Sequence, residues 1–115
     1  MLWSSKCIAA LFASTAAFSV QPGMGADICQ SRDEQPLRFV DVFDGSPEEL
    51  ATLEPDRARE RSGYWLLGTI YDAGRTVTIR CKYADGQAFD VTLSKRVNSC
   101  SYKINDRKIL SICCK

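Results

Sequence analysis

The sequence predicts a mainly β protein of the α+β kind, an antiparallel sheet of five or six strands with one short helix, stabilised by disulfides. Three observations carry that reading. From Tyr64 onward apolar and polar residues alternate with period two between evenly spaced turn signals. Residues 44–56, DGSPEELATLEPD, are punctuated as a turn, a capped helix and a stop. Cysteines stand at 29, 81, 100, 113 and 114 in a domain of a size that cross-links commonly supplement.

The chain begins with Lys6, an apolar run of 14 residues over 7–20 and the segment 21–26, the three-part layout of a secretory signal peptide. The run is shorter than the roughly 18 residues of a membrane-spanning helix. Cleavage is expected after Ala26, with Gly25 as the alternative. This leaves 27–115 as a single small β-rich domain that is periplasmic or secreted and has no stable membrane span.

Residues 27–36 read as a polar arm tied down by Cys29. Residues 37–43, with Phe39, Val40, Val42 and Phe43, read as a strand. Asp44-Gly45 is a turn. Ser46 is placed to cap a helix, with Pro47 in its first position and Glu49 three residues on as a capping box requires. Leu50 and Leu53 would share its buried face, and Pro55 ends it. Residues 56–63, DRARERSG, lack an apolar stripe and read as a mobile, solvated loop or a frayed extension of the helix.

Trp65, Leu67, Thr69 and Tyr71 then alternate as a strand, and Asp72-Ala73-Gly74 offers a three-residue hairpin loop with glycine in the left-handed position. The return strand puts Val77, Ile79, Cys81 and Tyr83 on one face and Thr76, Thr78, Arg80 and Lys82 on the other. After Asp85-Gly86-Gln87, the residues Phe89, Val91 and Leu93 continue the core face. A last hairpin over 100–104 and 109–113 turns at 105–108. If Ile104 faces Ile109, Cys100 lies opposite Cys113, whereas a shift of one residue brings Cys114 there instead. Cys29 is then left for Cys81, the simplest pairing of several.

Residues 27–60 hold ten acidic and four basic residues, a charge of −6, and residues 61–115 hold four acidic and ten basic, a charge of +6. Compensation between two halves folded against each other explains the split, and a patch for an oppositely charged partner competes with it. The basic residues are scattered singly, which argues against nucleic acid. No histidine is present, so histidine-dependent nucleophile triads and histidine-ligated metals are excluded. No C-x-x-C pair supports a zinc or redox site. The carboxylates of Asp44, Glu48, Glu49 and Glu54 are dense enough for acid–base work, but helix capping accounts for them. Neither a catalytic residue, nor a cofactor, nor a metal is expected, and the chain reads as non-enzymatic. Glu48, Glu49, Glu54, Arg57, Arg59 and Arg61 form the candidate interaction surface, for an envelope or host protein. Tyr64, Trp65, Tyr71, Tyr83, Phe89 and Tyr102 are expected to pack mainly in the core.

With Ile28-Cys29, FVDVFDGSPEELATLEPD, Trp65, IRCKY around Cys81, the spacing from Leu93 to Cys100 and a final Cys114-Lys115, the chain resembles an uncharacterised family of small exported, periplasmic proteins of Gram-negative bacteria. The phrase DGxPEELAxLxP is its specific part. The resemblance implies four cysteines, at Cys29, Cys81, Cys100 and Cys114, which leaves Cys113 as a free thiol. Ser62-Gly63-Tyr64 is similar to part of the inhibitory loop of periplasmic lysozyme inhibitors, so inhibition of a cell-wall hydrolase is the alternative function.

Overall fold

The computed structural model describes residues 28–115. The expected signal peptide and its cleavage point lie outside the described residues. The described chain forms eight strands, β1 (Leu37–Asp44), β2 (Thr52–Leu53), β3 (Arg57–Ala58), β4 (Ser62–Leu66), β5 (Val77–Tyr83), β6 (Ala88–Leu93), β7 (Ser99–Ile104) and β8 (Leu110–Cys114). One α-helix, α1 (Gly68–Asp72), lies between β4 and β5. All pairings are antiparallel, in two four-stranded sheets ordered β2-β1-β5-β6 and β3-β4-β7-β8. The mainly β architecture with one short helix and disulfides is thus the one adopted, its strands divided between two sheets.

One core joins the sheets. Val40 and Val42 of β1, Val77, Ile79 and Cys81 of β5, and Leu93 of β6 meet Trp65 of β4, Cys100 of β7, and Leu110, Ile112 and Cys114 of β8. The alternation read from β5 is the observed one, with Val77, Ile79, Cys81 and Tyr83 buried. Its outer face is laced with charge, since Lys82 pairs with Asp41 at 2.9 Å and Arg80 with Asp90 at 2.8 Å. Phe89 departs from its expected core position. It lies half exposed, edge-on to Tyr83 and under the Arg32 guanidinium.

The helix moves. Residues 47–53 do not form one; the segment makes a single 3-10 turn over Pro47–Glu49, closes in a left-handed Leu50 (φ 63°), and runs on as β2. Two turns of helix are marginal without burial. Here Leu53 gains more as a strand residue, paired with Val42. The expected strand over 64–71 breaks instead at Leu66, and Leu67, Ile70 and Tyr71 turn to the core. Leu67 and Tyr71 fit either repeat, but Ile70 breaks the strand parity and completes an i, i+3, i+4 helical face, and the helix carries the chain from one sheet to the other. Gly74 is left-handed (φ 79°), as a turn glycine should be, but it ends α1. Its N–H donates to Tyr71 O at 2.9 Å and that of Arg75 to Ile70 O at 3.0 Å, the double bond of a Schellman cap.

The last hairpin takes the shifted register. Ile104 faces Leu110, because the Asn105 N–H donates to Ile109 O at 3.0 Å and its side chain accepts from the Arg107 and Ile109 N–H groups. Ile109 is thereby absorbed into the turn, and Cys114 is brought opposite Cys100. Cys100 is bonded to Cys114 and Cys29 to Cys81. Cys113, expected as a free thiol, is buried and is likewise disulfide-bonded.

Candidate interaction surface

The segment that joins β1 to β4 is fixed at three points. Arg75, two residues before β5, donates to the Asp44 carboxylate at 2.7 Å and to Glu49, and this bidentate grip holds the 3-10 turn over the end of the first sheet. Glu49 also accepts the Ser46 backbone N–H at 3.2 Å. The Arg75 hydrogen bond, foremost among these contacts, holds the Glu49 carboxyl below its usual range, and the hydrogen bonds to Asp44 and then Glu49 raise the Arg75 guanidinium. The turn buries Phe43 and Thr78 on what would otherwise be an open sheet face, where the Thr78 hydroxyl donates to Gly45 O at 2.8 Å.

The second point is the Trp65 indole N–H, which donates to Leu53 O at 3.1 Å. The third is Asp56, whose carboxylate accepts the Leu66 N–H at 2.6 Å. Residues 56–63 are therefore not a loose loop. Arg57 and Ala58 pair with Tyr64 and Gly63 as the edge of the second sheet. One continuous segment thus supplies the edge strands of both sheets.

Between β2 and the second sheet lies a groove of about 210 Å³, lined by Phe39, Val40, Leu53, Pro55, Trp65 and Leu110 among others. Phe39 is 52% exposed at its mouth, and Leu50, next to β2, is 83% exposed. Leu50 was expected to dock on the sheet; its left-handed backbone turns it out to solvent instead.

The structure divides the predicted contact residues. Glu49 is spent on Arg75, and Arg61 pairs with Asp106 at 2.6 Å. Glu48, Glu54, Arg57 and Arg59 are exposed and make no ion pair among the described residues. Charge compensation between the halves is real but partial, through Arg75 with Asp44 and Glu49, Lys82 with Asp41, and Arg32 with Asp85. What sequence reasoning missed is Phe39, Trp65 and Leu53 as parts of one groove. The Leu53 and Trp65 side chains meet only once β2 and β4 are assigned to different sheets.

A second cavity of about 280 Å³ lies under the N-terminal arm, between Ile28 to Leu37 and the start of β8. The arm is held by the Cys29–Cys81 bond, by Tyr83 donating to Gln30 O at 2.5 Å and by the fork of Arg32 on Asp85 at 2.9 and 3.0 Å. Burial raises the Tyr83 phenol above its ordinary range, and the Arg32 hydrogen bond lowers Asp85. Ser62-Gly63-Tyr64 sits within β4, paired on both sides, rather than in a projecting loop. Among the described residues no group of three His, Cys, Asp or Glu is placed to hold a metal ion, and no helix is long and apolar enough to cross a membrane.

Fold and surface together define a small disulfide-bridged β protein with a tethered segment presenting apolar groups and charges of both signs to solvent. The family described as type VI secretion system Tli immunity protein matches residues 31–115, and the chain belongs to that family. No curated protein and no solved structure matches it. The two described bridges join Cys29, Cys81, Cys100 and Cys114, and the chain contains six cysteines in all.

Proposed function

We propose that this protein is a non-enzymatic immunity protein, exported with loss of residues 1–26, that binds a type VI effector in the periplasm and holds it inactive. The family match over 31–115 carries the reading, because it spans nearly all of the described domain rather than one motif. The disulfides support the compartment, since such bonds persist outside the reducing cytosol. The groove and its exposed neighbours support binding rather than turnover, as they offer apolar anchors and carboxylates on a fixed frame.

The test is protection. Each effector of the same bacterium's type VI system is directed to the periplasm of a susceptible cell, with this chain or with a version lacking residues 1–26. Rescue of growth by the full chain alone, with a one-to-one complex on purification, is the expected result. Failure to protect against or to bind any of those effectors overturns the reading. Stoichiometric inhibition of lysozyme would instead favour the cell-wall hydrolase inhibitor.

A further inference from the structure

Resting on the immunity reading, we propose that the groove between β2 and the second sheet, extended by Leu50, is the surface that engages the effector. Its occupant is an effector loop with a large apolar side chain flanked by lysine or arginine.

Size decides against a metabolite. The groove holds about 210 Å³, below the roughly 300 Å³ at which small-molecule sites begin, and a single inserted side chain suits it better. Its walls are already in place. β2 is paired to β1, and the Trp65 indole ties Leu53 to the opposite sheet, so binding need not first order the surface. Phe39 and Leu50 extend the apolar area outward, the pattern of anchors that carry interface energy.

Charge selects the occupant. All four carboxylates beyond residue 61, Asp72, Asp85, Asp90 and Asp106, are ion-paired within the protein. Glu54 on the groove wall and Glu48 beside Leu50 make no ion pair among the described residues, Glu48 feeling only the more distant charge of Arg80, and the likewise unpaired Arg57 and Arg59 do not line the groove. Covering them with a neutral or acidic partner would strip their water without replacement, which is costly, whereas a cationic partner offsets that cost. Glu49 is excluded from this role because Arg75 already holds it.

Binding of the effector identified by protection is measured for the wild-type protein, Leu50→Asn, the double variant Glu48→Lys/Glu54→Lys, and Phe89→Asp as a control on β6, the opposite edge of the first sheet. Asparagine tolerates the left-handed backbone at position 50, and every substituted site is exposed, so folding, checked by thermal melting, is retained. Leu50→Asn is expected to weaken binding about tenfold, mainly through faster dissociation. The double reversal is expected to slow association and remove its salt dependence, and Phe89→Asp to bind as wild type. Wild-type affinity in both groove variants would overturn the proposal while leaving the immunity reading intact. Absence of any effector complex with the wild-type protein would overturn both.

Discussion

The indole N–H of Trp65 reaches from the second sheet to the Leu53 carbonyl of the first at 3.1 Å, and this bond closes one side of the space between the sheets. Trp65 is buried, and its ring also lies 5.4 Å from that of Tyr102. Trp65→Phe keeps an aromatic ring but removes the donor and some volume, at a cost of about 2 kcal/mol. For a domain of this size that lowers Tm by roughly 8 to 16 °C. Calorimetry would check it, and hydrogen exchange at Leu53, faster in the variant, would locate the change in β2.

How much of this was legible in the sequence follows from range. The faces of β5 were readable because Val77, Ile79 and Cys81 alternate with Thr78, Arg80 and Lys82, a pattern only a strand explains. Gly74 was readable as left-handed, though not as the end of a helix, because Leu67 and Tyr71 satisfy both periods and only Ile70 tells them apart. The 46–53 segment carried correct local signals, Ser46 with Glu49 above all. They were realised in one turn, and Arg75 and the strand partner of Leu53 took the rest. Whether Leu50 points in or out depends on those distant partners, which is why the exposed anchor was invisible beforehand.

Leu50 and Leu53, one helical turn apart in sequence, are expected to respond oppositely to substitution. Leu50→Asn removes no packing and suits the left-handed backbone, so its Tm stays at or above wild type. Leu53→Ala removes a half-buried side chain between the sheets and costs about 1 to 2 kcal/mol. Arg75→Met, which releases Asp44 and Glu49 together, lowers Tm and speeds amide exchange at Gly45 and Leu50. Equal losses from the two leucines would restore the docked helix.

Acid should loosen the turn and the arm. Glu49 and Asp85 both have folded-state pKa values depressed below their ordinary 4.5 and 3.8, by hydrogen bonds from Arg75 and Arg32 respectively. The unfolded chain then binds more protons than the folded one as pH falls below those values. The stabilisation present at neutral pH is therefore lost progressively in that range. Urea melts from pH 7 to pH 3 should show stability falling below about pH 4.5, and Glu49→Gln with Asp85→Asn should flatten the fall.

The two described bridges close loops of unequal length. Cys29–Cys81 spans 52 residues and Cys100–Cys114 spans 14. On chain entropy they contribute about 4 and about 3 kcal/mol, large against the roughly 5 to 15 kcal/mol of a whole domain. Replacing Cys29 and Cys81 together by serine should therefore cost more than replacing Cys100 and Cys114, and it should also free the arm, raising protease sensitivity near residue 30. Denaturant midpoints and limited proteolysis would show whether that order holds.

Gly63 separates a packing role from an inhibitory one for Ser62-Gly63-Tyr64. A Cβ at Gly63 would lie 2.5 Å from Arg57 O and 2.7 Å from the Tyr102 ring. The first contact is with backbone held in the β3–β4 pairing, so it cannot be relieved by a rotamer change. Gly63→Ala should thus cost about 1 to 3 kcal/mol, as overpacking does, and pry β3 from β4. Tyr64→Ala, at a half-buried position on the same strand, creates no such clash. If these residues act only in packing, both variants neutralise the effector once folded, with Gly63→Ala less stable than wild type. A wild-type melting temperature in Gly63→Ala would show that the close approach of Arg57 and Tyr102 is not what demands glycine there.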